Sequence, residues 1–145
     1  RLPEEIGGKV LRNAGGVYNH NLYWYSMTSC GSGYPLGELG KRIVQQYQTF
    51  AQFRQQFQAS AMAVFGSGWT WLAVDADDRL HIINTANQEV LPLQRFQPLL
   101  IVDLWEHAYY LQYHYNRERY LDNWWRLVNW RFAESQYQAS KAIWA

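Results

Sequence analysis

Cysteine is nearly absent from this sequence of 145 residues, which holds only Cys30. A lone cysteine excludes an intrachain disulfide and a thiolate cage for a metal ion, and it favours a reducing compartment. Long apolar runs are absent too, since none approaches the roughly 20 residues that a membrane-spanning helix needs. The 13 basic and 12 acidic side chains are scattered and nearly cancel. The sequence therefore predicts no nucleic-acid partner and no attraction to an anionic membrane.

Aromatic side chains, by contrast, are abundant: the chain has eight Trp, eleven Tyr and six Phe. Such side chains bring large buried areas with polar tips that can be oriented, so they suit a tight core, an interface or a dry site wall. The 48% hydrophobic and 17% charged content is that of an ordinary globular protein. A chain of this length can bury one sizeable core.

The pattern along the chain predicts helices, then strands, then helices. Residues 1–65 carry apolar residues at helical spacing, interrupted by Gly15-Gly16 and by the breaker at 30–35. A glycine pair inside a buried helix indicates either a functional position or the close approach of another backbone. We predict an α+β fold in which N-terminal helices precede a small antiparallel three-stranded sheet flanked by C-terminal helices. Residues 1–65 and 66–145 would form two regions, helical and α/β metal-binding, of one compact unit.

Three stretches predict the strands. Residues 69–74 are rich in aromatic and β-branched residues, and a polar connection at 75–78 separates them from a second strand at 80–83. Asn84 begins the loop that follows. The apolar run at 98–102 has no period that distinguishes a strand from a buried helix, but Pro98 and the Ile101-Val102 pair favour a strand.

The strongest candidate for chemistry is Asp103 with His107, four residues later, at the end of the third predicted strand. A carboxylate oxygen and an imidazole nitrogen that converge suit a transition metal such as Mn, Fe or Zn. The alternative is structural: Asp103 caps a helix beginning at Glu106, and His107 is satisfied in the core. His20, on an aromatic-rich helix, needs a partner if it is buried, and a metal, a backbone carbonyl or water would each serve. We expect His81 and His114 to be surface histidines.

Several segments together resemble the iron/manganese superoxide dismutase family. The most specific segment is the Asp-x-Trp-Glu-His-Ala-Tyr-Tyr string at 103–110. The other segments occur in the order found in the family and lie at 19–20, 65–72, 87–88 and 120–130. The resemblance covers nearly the whole chain. It implies disproportionation of superoxide to dioxygen and hydrogen peroxide by a metal that cycles between its trivalent and divalent states.

The resemblance also implies the site. One Mn or Fe ion per subunit would be held, with a solvent molecule, by His20, Asp103 and His107. Trp69, Trp71 and Trp105 would wall the site. Gln88 would hydrogen-bond the bound solvent, and in combination with Gly16 it indicates the manganese type. Such a hydrogen bond tunes the potential of the metal and the pKa of the solvent.

The resemblance also implies roles for further residues in subunit assembly and in substrate access. Glu106 and Tyr110 would reach across the interface of a homodimer or homotetramer, where Glu106 pairs with the partner subunit's His107. A carboxylate in that place fixes the tautomer and the orientation of a ligating imidazole. Arg117 matches a family arginine near the substrate funnel, although a solvated arginine at a helix start is an alternative.

One feature of the family has no counterpart in this sequence, namely the first His ligand on an N-terminal helical hairpin. Either residues are missing upstream, which we prefer, or the hairpin has been lost. A non-catalytic scaffold or an inactive fragment is therefore an alternative function. An iron oxygenase with two histidines and one carboxylate is a third, although such enzymes usually have β-sheet folds. We expect a cytoplasmic, bacterial protein, with the mitochondrial matrix and secretion left open.

Overall fold

The computed structural model describes residues 3–145 of the chain, so Arg1 and Leu2, at the start of the predicted helical region, lie outside it. Within this part, three helices precede a three-stranded sheet and three helices follow it. The elements are α1 (Glu4–Tyr25), α2 (Gly37–Tyr47), α3 (Phe50–Met62), β1 (Gly68–Val74), β2 (Leu80–Ala86), β3 (Gln97–Asp103), α4 (Glu106–Tyr113), α5 (Arg117–Leu127) and α6 (Trp130–Ile143). The predicted α+β fold is confirmed. None of the helices described is long and apolar enough to cross a bilayer.

The first helix continues through Gly15-Gly16, although glycine is a poor helix former. A Cβ added to Gly15 would overlap the backbone oxygen of Gln88, and one added to Gly16 would lie 3.3 Å from Cδ of Gln88. Gly15 therefore marks the close approach of another backbone, which was one of the two interpretations of the sequence, whereas Gly16 lies against the side chain of Gln88. Further along, Thr49 caps α3 because its side chain accepts a hydrogen bond from the backbone N–H of Gln52.

The sheet is antiparallel, in the order β2-β1-β3. Every residue of the central strand β1 is buried, so helices or loops cover both faces of the sheet. Helices α1 and α6 pack on β3, whereas α3 packs on β1 and β2. β2 continues to Ala86, and the prediction of a loop at Asn84 is wrong: Asn84 pairs with Thr70, whose hydroxyl donates to its side-chain oxygen at 2.7 Å. This partner satisfies a polar residue inside a strand.

An aromatic cluster joins α3 to the C-terminal helices. Phe57 stacks on Trp124, with ring centroids 5.6 Å apart, and meets Trp125 edge to face at 5.3 Å. Trp125 in turn stacks on Trp130. Much of the aromatic content thus forms the core that holds α5 and α6 against α3.

Candidate metal centre

Asp103 is the last residue of β3 and lies opposite Trp69 of β1. Its side chain is 2% exposed. Burial raises the pKa of the carboxyl group above its usual value, although hydrogen bonds from the Trp105 N–H and His107 counteract part of this effect. Oδ1 accepts the backbone N–H of Trp105 at 2.8 Å, which leaves Oδ2 as the oxygen that faces the two histidines.

His20 reaches Asp103 from α1. Its Nδ1 lies 2.7 Å from the backbone oxygen of Gly16, one turn earlier, and can only donate to that carbonyl. In the neutral ring the proton is therefore on Nδ1, and Nε2 presents a lone pair. Nε2 lies 3.4 Å from Oδ2 of Asp103. The helix backbone thus fixes both the tautomer and the direction of this imidazole.

His107 completes the group from the first turn of α4. Its Nε2 lies 2.8 Å from Oδ2 of Asp103, and its ring stacks on Trp105 with centroids 5.5 Å apart. One donor atom each from His20, Asp103 and His107 lie within 4.8 Å of one another. The structure thus brings together the three residues that the sequence singled out as ligands. The capping alternative is wrong: the N-cap residue of α4 is Trp105, no side chain caps the helix, and His107 is exposed rather than held in the core.

The three tryptophans predicted to wall the site occupy different places. Trp69 is buried and meets His20 edge to face at 4.9 Å, and Trp105 covers His107. Trp71 is buried too, but its indole N–H donates to Thr85. Within residues 3–145, no hydrogen bond or ring contact joins Trp71 to any of the three donors.

Gln88 lies against α1, where the absence of side chains on Gly15 and Gly16 makes room for it. Its Oε1 is buried and has no hydrogen-bond partner among the described residues. An unpaired buried amide oxygen is costly unless solvent or a ligand satisfies it. Asn19, next to His20, helps to hold this segment because its side-chain amide donates to the backbone oxygen of Glu89 at 3.2 Å.

Two tyrosines beneath Asp103 were not singled out from the sequence. The hydroxyl of Tyr120 donates to the backbone oxygen of Asp103 at 2.9 Å, and the hydroxyl of Tyr23 lies 2.8 Å from that of Tyr120. Burial raises the pKa of Tyr23 to about 12 and that of Tyr120 well above its usual value, so both hydroxyls stay protonated. The position of Tyr23 three residues after His20, on nearly the same face of α1, is the only sequence signal that pointed to them.

Glu106 and Tyr110, predicted to reach a partner subunit, are both exposed on α4. Arg117 begins α5, and its guanidinium donates to backbone oxygens of the α3–β1 connection, at 2.5 Å to Val64 and 3.1 Å to Gly66. It also bonds the backbone oxygen of Leu104, next to the ligand candidate Asp103, at 3.3 Å. The arginine therefore ties the site to a loop and is not a freely solvated side chain.

The two histidines expected on the surface differ from each other. His114 is exposed. His81 is half-buried on β2, and its Nε2 lies 2.7 Å from Oδ2 of Asp75. The Asp75–His81 pair therefore repeats the Asp–His contact of the candidate centre at a second place, without a third donor among the described residues.

Comparison with known proteins gives consistent matches. Residues 35–136 match the family described as iron/manganese superoxide dismutases, C-terminal domain. The chain is 41% identical over 140 residues to a superoxide dismutase [Mn] of Listeria ivanovii, an alignment that covers 97% of this chain and 69% of that protein. It is 42% identical over 139 residues to the superoxide dismutase [Mn] of Thermus aquaticus, covering 96% and 68%. It is 44% identical over 128 residues to the superoxide dismutase [Fe] of Legionella pneumophila, covering 88% and 67%.

Proposed function

This chain belongs to the iron/manganese superoxide dismutase family, and from that membership we propose that it acts as a superoxide dismutase with Mn or Fe on His20, Asp103 and His107. The observation that carries the proposal is the convergence of two imidazole nitrogens and one carboxylate oxygen within 4.8 Å at the buried end of β3.

The chemistry of these donors fits Mn or Fe. Two imidazoles and a carboxylate are a known ligand set for such metals, and they leave further coordination positions open. Two of the three donors are already oriented by a hydrogen bond with the backbone, His20 through the Gly16 carbonyl and Asp103 through the Trp105 amide. A cation would also offset the cost of a carboxylate that is 2% exposed.

When bound, the metal supplies one-electron exchange with superoxide, so that two superoxide ions and two protons yield dioxygen and hydrogen peroxide. The residues of the chain supply the surroundings. Trp69 and Trp105 exclude water from one side of His20 and His107, which strengthens electrostatic interactions inside the site. Gln88 turns an unpaired Oε1 toward the buried side of α1 and is placed to orient solvent there. We assign the manganese type on the combination of Gln88 with Gly16.

Arg117 has two effects in this proposal. Its hydrogen bonds hold the α3–β1 loop next to the residue that follows Asp103. Its positive charge, held in one place, also makes the potential near the site more favourable to an approaching anion such as superoxide. The hold on the loop is seen in the hydrogen-bond distances, whereas the attraction of superoxide follows from the positive charge of the guanidinium.

We further propose that two copies of the chain associate through α4. Tyr110 is 52% exposed and Leu111 93% exposed, and an exposed apolar patch beside a site is typical of an interaction surface. Nδ1 of His107 has no hydrogen-bond partner within residues 3–145, so Glu106 of the partner subunit can hold that nitrogen. Light scattering on the metal-loaded sample is expected to give twice the mass of the chain, and a monomeric mass would contradict this part of the proposal.

The test is to refold or express the chain with equimolar Mn(II) and Fe(II), dialyse it, and measure bound metal together with superoxide consumption. We expect near-stoichiometric metal, mainly Mn, and turnover above that of free metal. Asp103→Asn should lower metal affinity by more than the roughly 10–100-fold that follows loss of an outer hydrogen-bond partner. Asp75→Asn, which disturbs the second Asp–His pair, is the matched control and should keep both metal and activity.

Two results would count against the proposal. A wild-type chain that folds but retains no metal would overturn it, as would equal retention by Asp103→Asn. Metal bound without turnover would assign the chain to the alternative of a non-catalytic, superoxide-dismutase-like protein or fragment.

A further inference from the structure

Three oxygen atoms form a chain of hydrogen bonds between α1 and the end of β3. The Tyr120 hydroxyl donates its only hydrogen to the backbone oxygen of Asp103, at 2.9 Å. The Tyr23 hydroxyl, 2.8 Å from that of Tyr120, must therefore be the donor in their contact. The chain runs from Tyr23 through Tyr120 to Asp103, and each hydrogen has one acceptor.

Packing holds both phenol rings in place. Tyr23 and Tyr120 are each 6% exposed. Tyr23 meets Trp69 edge to face at 6.1 Å, and Tyr120 stacks on Tyr109 at 5.3 Å. A hydroxyl at the tip of a packed ring has little freedom, so it positions its acceptor as well as satisfying it.

A second bond between the same two elements lies close by. The backbone N–H of Ile101, two residues before Asp103 on β3, donates to Oγ of Ser26 at 3.2 Å, and Ser26 is the C-cap residue of α1, three residues after Tyr23. Helix and strand are thus joined at two successive points. The Ser26–Ile101 bond is direct, whereas the link from Tyr23 to Asp103 passes through Tyr120 of α5.

We propose that Tyr23 and Tyr120 are positioning residues for the metal centre, which set the separation between His20 on α1 and Asp103 at the end of β3. Tyr120 fixes the carbonyl of Asp103, the Trp105 amide fixes Oδ1, and Oδ2 is left with one direction, toward the imidazoles. This inference rests on the proposed function, because it assigns a role in the same site.

The variants that test it are Tyr120→Phe and Tyr23→Phe. In Tyr120→Phe the Asp103 carbonyl loses its donor and Tyr23 loses its acceptor. We therefore expect affinity for Mn(II) to fall about 10–100-fold, the range for outer hydrogen-bond partners. Tyr23→Phe leaves the Asp103 carbonyl its donor, so its loss should be smaller. Tyr137→Phe is the matched control, because Tyr137 is buried and its hydroxyl donates to Asp78 instead; its affinity should equal that of wild type.

Two readouts separate positioning from a general loss of stability. The electron paramagnetic resonance spectrum of bound Mn(II) should change in Tyr120→Phe and not in Tyr137→Phe, since it reports ligand geometry. Without metal, the ¹⁵N shifts of the His20 and His107 imidazoles should move in Tyr120→Phe alone. Unchanged shifts and unchanged affinity in Tyr120→Phe would overturn the inference. If wild type binds no metal, the proposed function fails, and the imidazole shifts alone decide the inference.

Discussion

Replacing Gly15 with alanine tests how closely the Gln88 segment approaches α1. The added methyl group would overlap the backbone oxygen of Gln88 and lie 3.2 Å from Cγ2 of Val90. Ordinary carbon contacts are at about 3.5–4.0 Å, so the segment or the helix must move by about 1 Å. Gly8 on the same helix has nothing within 4 Å of the equivalent position and provides the comparison.

The magnitude follows from the difference between the two variants. Both gain about 0.5–1 kcal/mol, because alanine is a better helix former than glycine. Only Gly15→Ala also incurs the cost of overpacking, about 1–3 kcal/mol. We expect Gly8→Ala to stabilise the protein and Gly15→Ala to have a free energy of unfolding about 1–3 kcal/mol below that of Gly8→Ala.

Urea unfolding followed by circular dichroism measures this difference, provided that the dependence on denaturant is the same in both variants. Equal stabilisation by the two substitutions would refute the reasoning, because it would mean that no backbone lies against Gly15. If Gly15→Ala is the less stable variant, the metal affinities of the two variants, measured in parallel, show whether displacement of Gln88 also affects the metal centre.

Two further predictions concern regions away from the centre. Thr49→Ala removes the cap that accepts the Gln52 amide, so we expect thermal unfolding to show a loss of about 0.5–2 kcal/mol, whereas Thr49→Ser should lose much less. Burial alone would raise the pKa of Asp75, but hydrogen bonds from the Arg79 amide and from His81 outweigh it and hold the pKa below its usual value. This contribution to stability is present above the unfolded pKa of about 3.9 and is lost as the pH falls through the lower folded value. Unfolding free energies measured from pH 6 to pH 2 should therefore fall less steeply in Asp75→Asn, and parallel profiles would contradict this assignment.

The strands were predictable where composition and breakers agreed. The apolar run at 98–102 lies in β3, an edge strand, and Pro98 pairs with Ala73 where the register shifts. Proline lacks an N–H, so it is tolerated at an edge and at an irregularity. Asn84 misled the prediction because its polarity indicated a loop, whereas a hydroxyl of the neighbouring strand satisfies it.

The residues of the candidate centre were likewise predictable from spacing alone only where local sequence spacing brings them together. Asp103 and His107 are four residues apart, so local spacing was enough to bring them together. His20 was a separate candidate because of its aromatic-rich helix, and only the family resemblance joined it to the pair. The hydroxyl contact between Tyr23 and Tyr120 joins residues 97 positions apart. Neither helical period nor motif spacing encodes such a contact, because it depends on where α1 and α5 dock against the sheet. The proximity of Gln88 to the glycine pair also depends on how segments distant in sequence pack together, so the sequence did not predict it.

The donors of the centre lie on elements of unequal local stability. Asp103 ends a strand whose neighbour β1 is buried along its whole length, whereas His107 lies on an eight-residue helix with Leu111 93% exposed. Short surface helices with few buried side chains unfold locally at a lower free energy than a central strand does. Local unfolding of α4 would uncover Oδ2 of Asp103 and Nε2 of His20 while the sheet and the aromatic core remain folded. We therefore expect the exchange rate of a metal bound at the centre to follow the local stability of α4 rather than the stability of the whole protein.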